Sequence, residues 1–195
     1  MAKEAMLKPL DIKNAVFNIR GTSPLIMNRF DEKAKQEMLE KQQKKTKKPK
    51  EARDPEAEFK RSLYVLPDGR TAFPADSLKL AMLRGAKMLG MVMTDARSSF
   101  FVKGVYSERD GRELIPVNGN VQSREDVVKI GMGTSMLRYR GQVVDWSMEV
   151  SIRYNASMVS EEQLLNMLNA AGFGCGIGEW RPERDGCFGT FEVVV

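Results

Sequence analysis

Trp180, Arg181 and Arg184 stand among glycines at 172, 174, 176, 178, 186 and 189, in the stretch GFGCGIGEWRPERDGCFGTFEVVV. Glycines at this density let a backbone approach a ligand closely and leave N–H groups that no side chain screens. Gly176 and Gly178 lie just ahead of Trp180. Guanidinium forks suit phosphate, and an indole face suits a stacked base. The combination points to nucleic acid ahead of a small-molecule substrate, although a long αβ connection with solvated arginines would carry the same residues. A second cluster, Arg138, Tyr139 and Arg140 before Gly141, offers similar chemistry, or arginines that defend a strand edge. The run KQQKKTKKPK over residues 41–50 holds six lysines and no acid. Lys44, Lys45, Lys47 and Lys48 at its centre fit an arm that adds unspecific attraction to a polyanion, and equally a solvated linker.

The chain has no histidine, which removes Ser-His-Asp and Cys-His catalysis, histidine metal sites and histidine acid–base chemistry. An enzyme would be left with carboxylate, Lys, Tyr or metal–carboxylate chemistry. Asp95, Glu108, Asp110, Asp126 and Asp145 are scattered and form no catalytic or metal-ligating cluster. Cys175 and Cys187 flank the glycine loop and read as reduced thiols of a cytoplasmic protein, since neither a disulfide framework nor a zinc site has enough ligands here. No cofactor and no metal are expected. No apolar run is long enough for a membrane span or an export signal, so no membrane partner is expected either.

These residues must be held by a core. With 195 residues and 42% hydrophobic content the chain can bury one core with elaborate insertions. Lys and Arg exceed Asp and Glu by 31 to 26, a net charge of +5, which suits a polyanionic partner. AVFNIR over 15–20 alternates and breaks at Gly21, predicting a first strand. Residues 31–43 and 55–63 are helix-compatible, with a flexible loop between them and a turn at 67–69. Asp76 or Ser77 is predicted to cap a helix over 78–91. Strands are expected at 100–106, 114–117 and 127–130, and WSMEVSIRY over 146–154 reads as a half-buried strand. Ser160 and Gln163 form a capping box for a helix over 160–171, and the last strand is expected over 188–195.

Stripped of insertions the order is βαββαβ. The predicted fold class is therefore α+β, a ferredoxin-like or RRM-like antiparallel sheet with two helices. One domain over residues 1–195 would carry two large insertions, a basic one over 28–72 and a second over 107–142.

Three stretches resemble the RAMP superfamily, the RRM-like proteins that include backbone subunits of CRISPR effector complexes. FNIRGTSPLIMN is similar to that group's opening strand and apolar turn. FPADSLKLAMLRGAK resembles its helix start, matching at Pro74, Ser77, Leu78 and Lys79. GIGEWRPERDGCFGTFEV resembles its glycine-rich loop, matching at Gly176, Gly178, Arg181, Gly186, Phe188 and Gly189. Together they cover about a quarter of the chain in the family's order. The departures are Leu80 where the family has glycine, Arg84 five rather than four residues beyond the lysine, and Trp180 inside the loop.

The resemblance implies binding rather than cutting, with RNA slightly preferred over single-stranded DNA. It implies a homo-oligomer or filament along the strand, with inserts reaching the neighbouring protomer. A stand-alone member from a phage or mobile element fits the small size. Ser77 and Lys79 at a helix N-terminus would offer a hydroxyl, an ammonium and free N–H groups to phosphate, with Arg84 five residues beyond Lys79 as a further basic residue. A metal-independent endoribonuclease, or an assembly subunit whose glycine loop packs an interface, are the alternative readings.

Overall fold

The computed structural model describes residues 9–30, 32–43, 53–129, 133 and 135–194. Along the chain lie β1 (Ile12–Gly21), β2 (Leu25–Met27), α1 (Glu32–Gln42), α2 (Pro55–Ser62), β3 (Tyr64–Val65), β4 (Thr71–Pro74), α3 (Ala75–Met88) and α4 (Met93–Ser99). There follow β5 (Phe100–Lys103), β6 (Val105–Ser107), β7 (Arg112–Pro116), β8 (Asn118–Lys129), β9 (Ser135–Asn155), α5 (Glu161–Gly174), a 3₁₀ turn (Pro182–Arg184) and β10 (Phe191–Val194). The protein is mixed α+β, with antiparallel sheets and, among the described residues, five α-helices.

Alternation in β1 sets the core. Ala15, Phe17 and Ile19 are buried while Asn14, Val16 and Asn18 face out, as a period of two requires. Their antiparallel partners on β9, Ile152, Val150 and Met148, are buried too. β5 lies along the same half of β9, with Phe100 opposite Tyr154 and Val102 opposite Ile152. β10 pairs with the other side of β1. The strands therefore run in the order β10–β1–β9–β5. Leu78 and Met82 of α3 and Leu164, Met167 and Leu168 of α5 join the inward side chains in one core. The capping box at the start of α5 forms as the sequence predicts: Ser160 Oγ accepts from the Gln163 N–H at 3.1 Å, and the Ser160 N–H donates back to Gln163 Oε1 at 2.9 Å.

The 21-residue β9 serves two neighbourhoods. Its second half pairs with β1 and β5, whereas its first half pairs with β2 and β8. Between Asn118 and Asn120 of β8 the register slips, so that Ser147 and Val144 face them. The extra residue on β9 is accommodated at Asp145, whose φ is +50°, the signature of a bulge. The bulge switches the buried phase from Gly141 and Val143 to Trp146, Met148 and Val150. Trp146 is fully buried, its indole N–H donates to the Ser23 carbonyl at 2.8 Å, and its ring meets Phe191 edge-on.

A second sheet, in the order β3–β4–β7–β6, is made from parts of both sequence insertions. Phe73 and Ile115 lend it to the main core. It is clamped by a buried ion pair in which Arg29 Nε donates to Asp110 Oδ1 at 2.5 Å, the side chains being only 3% and 4% exposed. Ser107 Oγ donates to the other Asp110 oxygen at 3.0 Å. Breaking one partner of such a pair strands the other as a buried charge.

Several boundaries differ from the sequence expectation. Helix α3 begins at Ala75 after Pro74, with no side-chain cap, so Asp76 and Ser77 lie inside its first turn. Proline's fixed φ and the strand β4 running into it set that start. The last strand begins at Phe191, because residues 188–190 are held in the loop. Helix α4 was not expected. Gly104 separates β5 from β6, and the residues around 107–142 form β7 and the β8–β9 ribbon rather than a mostly irregular insert.

Candidate nucleic-acid interface

Helix periodicity brings part of the site together. Ser77, Leu80, Ala81 and Arg84, spaced at i, i+3, i+4 and i+7, share one stripe of α3. They line a recess of about 150 Å³ whose opposite wall is Gly176, Ile177, Gly178, Glu179 and Arg181, with Asn28 and Tyr64 at its side. Lys79 lies two positions from Ser77, about 200° around the helix. Its ammonium donates instead to the Arg97 carbonyl at 3.0 Å and sits 4.1 Å from the Phe101 ring centroid. Burial, and then the Arg97 charge, hold that ammonium below its usual pKa. The structure therefore brings Ser77 and Arg84 to the glycine loop and leaves Lys79 at the edge of the sheet.

The glycine loop is fastened to the β1–β2 corner. The Glu179 N–H donates to the Ile26 carbonyl and the Gly189 N–H to the Pro24 carbonyl, both at 2.9 Å. At Gly178, φ is +80° and an added Cβ would stand 2.4 Å from the Ile26 carbonyl oxygen. At Gly189, φ is +68° and the corresponding distance to the Ile177 carbonyl oxygen is 1.8 Å. These glycines are required by the chain's own close approach, not by an open face left for a ligand. The N–H groups of Gly176, Gly186 and Gly189 are also taken by carbonyls of the protein. Side chains, more than bare backbone, are what this loop presents.

Those side chains are organised by Glu183, in the 3₁₀ turn. Its carboxylate takes the Arg84 guanidinium on one oxygen and Arg181 Nε, at 3.0 Å, on the other. Arg181 also donates through Nη1 to the Gly178 carbonyl at 2.9 Å. The thiol of the neighbouring Cys175 is pushed up in pKa, first by burial and then by the Glu183 charge.

A second, open recess of about 410 Å³ adjoins the first and shares Glu179 and Arg181 with it; Arg140, Trp180 and Arg184 complete its lining. Trp180 is 42% exposed and has φ of +54°, a conformation rare for a bulky residue. Its carbonyl accepts from the Phe188 N–H at 3.0 Å. Arg184 has no ion-pair partner among the described residues. Arg140 is buried on β9, directly opposite Arg124 of β8. Arg124 Nε donates to Asp126 Oδ1 at 2.8 Å, its Nη1 to Gln142 Oε1 at 3.0 Å, and its guanidinium lies 4.7 Å from the Phe188 ring centroid.

Strand alternation divides the remaining cluster. Arg138 shares the face of Arg140, one step further along the ribbon and opposite Asp126. Tyr139 faces the other way, where its hydroxyl bonds to Glu125; that bond leads the effects that raise the phenol's pKa. Lys44, Lys45, Lys47 and Lys48 lie outside the described residues. Sequence reading missed Arg124, Glu179 and Glu183, and weighed Asp126 only as one of several scattered carboxylates. Nothing local in VQSREDVV pairs Arg124 with Phe188, because that contact depends on register across the ribbon. Among the described residues no group of Cys, Asp and Glu is placed to hold a metal ion, and no helix is long and apolar enough to cross a membrane.

No protein-family model matches the chain, and no curated protein matches it. Among solved structures, the crystal structure of Cmr6 from Pyrococcus furiosus aligns over 97% of this chain and 100% of that one, with a TM-score of 0.45 and 8% identity. A likeness at that level assigns no family to the chain.

Proposed function

We propose that the protein binds single-stranded nucleic acid, RNA in preference to DNA, without cleaving it, and multimerises along the strand. One observation carries this reading: Arg84 from α3, Arg140 from β9, and Trp180, Arg181 and Arg184 from the glycine loop converge on two adjoining recesses. Guanidinium groups interleaved with an exposed indole match a strand that presents phosphates and unstacked bases together. The strand order β10–β1–β9–β5, with α3 and α5 in one core, is read here as the ferredoxin-like βαββαβ arrangement. The preference for RNA, the absence of cleavage and the multimer rest on the RAMP resemblance of the three sequence stretches.

Titration of labelled single-stranded RNA, single-stranded DNA and blunt duplex, across a range of salt, tests the reading. The expected result is binding to both single strands ahead of duplex, with RNA tighter and intact after prolonged incubation. Log affinity should fall with log salt by about 0.7 per phosphate contacted. Equal affinity for duplex, or no binding at low salt, overturns it.

A further inference from the structure

We propose that the open recess beneath Arg140 is a one-nucleotide subsite, taking a phosphate on the Arg140 and Arg184 guanidiniums and the attached base on the Trp180 indole. This rests on the single-strand reading and narrows it to a place and a stoichiometry.

Arg140 is the reason. Its side chain is 10% exposed, and its ion contact among the described residues is a long one, 3.5 Å from Nη1 to Asp126 Oδ2. Its Nε is buried and has no hydrogen-bond partner among the described residues. Asp126 is also the partner of Arg124, at the shorter distance of 2.8 Å. Two guanidiniums thus share one carboxylate, and the more buried of them holds the weaker contact. A buried cation with an incomplete set of acceptors is costly, and buried polar atoms are otherwise nearly always satisfied. The recess that Arg140 lines is where a further acceptor can approach its guanidinium, and the positive charge there favours an anion.

The rest of the lining says what kind of anion. Arg140, Arg181 and Arg184 face one carboxylate, Glu179, in a volume of about 410 Å³, within the ~300–1,000 Å³ of small-molecule clefts. An anion without a flat apolar portion would leave the indole unused. Trp180 is held at positive φ, a strained conformation of the kind that clusters at ligand clamps, and its ring has a π-face for any base. A phosphate joined to a base fits both features, and either a strand or a free nucleotide can supply it.

The test uses uridine 5′-monophosphate, uridine, inorganic phosphate and an oligouridine, each titrated into the full chain and into Arg140→Met. Uridine 5′-monophosphate should quench Trp180 fluorescence and displace the oligouridine, while uridine and phosphate alone should each be at least tenfold weaker. Arg140→Met should lose the mononucleotide at least tenfold and melt no lower than the parent, because an apolar side chain removes the buried charge. Should that variant fail to fold, Arg184→Gln, on the exposed turn, should weaken the mononucleotide several-fold with the melting temperature unchanged. Tighter oligouridine than mononucleotide binding assigns the subsite to a strand; the reverse assigns it to a free nucleotide, and either supports it. If oligouridine binds but the mononucleotide neither binds nor competes, the subsite is wrong and the single-strand reading stands. If the mononucleotide binds through Arg140 and no oligonucleotide does, the single-strand reading falls and the subsite stands. Mononucleotide binding unchanged in Arg140→Met or Arg184→Gln overturns the subsite.

Discussion

Arg84 on α3 and Glu183 in the glycine loop are ion-paired, and the same carboxylate holds Arg181. One acidic residue thereby occupies both guanidiniums that line the first recess. Glu183 both staples the loop to the core and competes with any phosphate for those donors.

Glu183→Gln separates the two roles. An amide oxygen can still hold one guanidinium, so the fold should persist with a loss of about 1.5–3 kcal/mol in a urea melt, the net worth of a hydrogen bond to a charged group. Single-strand affinity at low salt should rise by roughly 0.5–1 kcal/mol, as a partly exposed ion pair is released. A fall in affinity at unchanged stability would show that Glu183 serves the ligand instead of competing with it.

The matched basic residues of α3 and the loop should now behave differently. Arg181→Ala should weaken single-strand binding by about 1–3 kcal/mol, the range for a charge-assisted contact. Lys79→Ala should leave binding within about twofold, because its ammonium is committed to the Arg97 carbonyl and the Phe101 ring. Its cost should appear in stability, at about 0.5–1 kcal/mol for a cation–π contact at an exposed site. Parallel titrations and urea melts of the two variants check both statements; equal binding losses would place Lys79 on the ligand surface after all.

The glycines of the loop invite a stability test. Gly178→Ala would combine a positive φ with a Cβ pressed on the Ile26 carbonyl, and should destabilise by about 1–3 kcal/mol. Gly111→Ala makes a control: φ is +63° but nothing lies within 4 Å of the added carbon, so only the backbone term of about 1 kcal/mol remains. Urea melts of both variants decide whether close approach or φ alone explains the glycine at 178.

Much of this was legible in the residues, for identifiable reasons. Alternation in AVFNIR and WSMEVSIRY marked β1 and half of β9, and the Ser160–Gln163 box marked α5. The rest of β9 was hidden because the bulge at Asp145 reverses which side chains point inward, so no single period spans the strand. Sequence reading grouped Ser77 with Lys79 at the helix start, whereas helical spacing puts Ser77 and Arg84 on one stripe and removes Lys79 from it. Tyr139 illustrates the complementary rule for strands, since adjacent residues of a basic-aromatic-basic run cannot share a face. Arg140 as a buried cation, and Arg124 over Phe188, depend on pairing across the β8–β9 ribbon, which local sequence does not encode. The central lysines at 44, 45, 47 and 48 fall outside the described residues.

The most direct test of the central claim uses the protein's two tryptophans. Trp146 is fully buried and Trp180 is exposed beside the arginines, so fluorescence quenching by an added single strand reports on the proposed surface. A single-stranded oligouridine should quench the emission saturably at low salt. Trp180→Leu should abolish the quench and weaken binding, measured by anisotropy, by about 1–3 kcal/mol, the worth of one stacked base. Saturating binding without any quench, or a quench that survives in Trp180→Leu, would contradict the account.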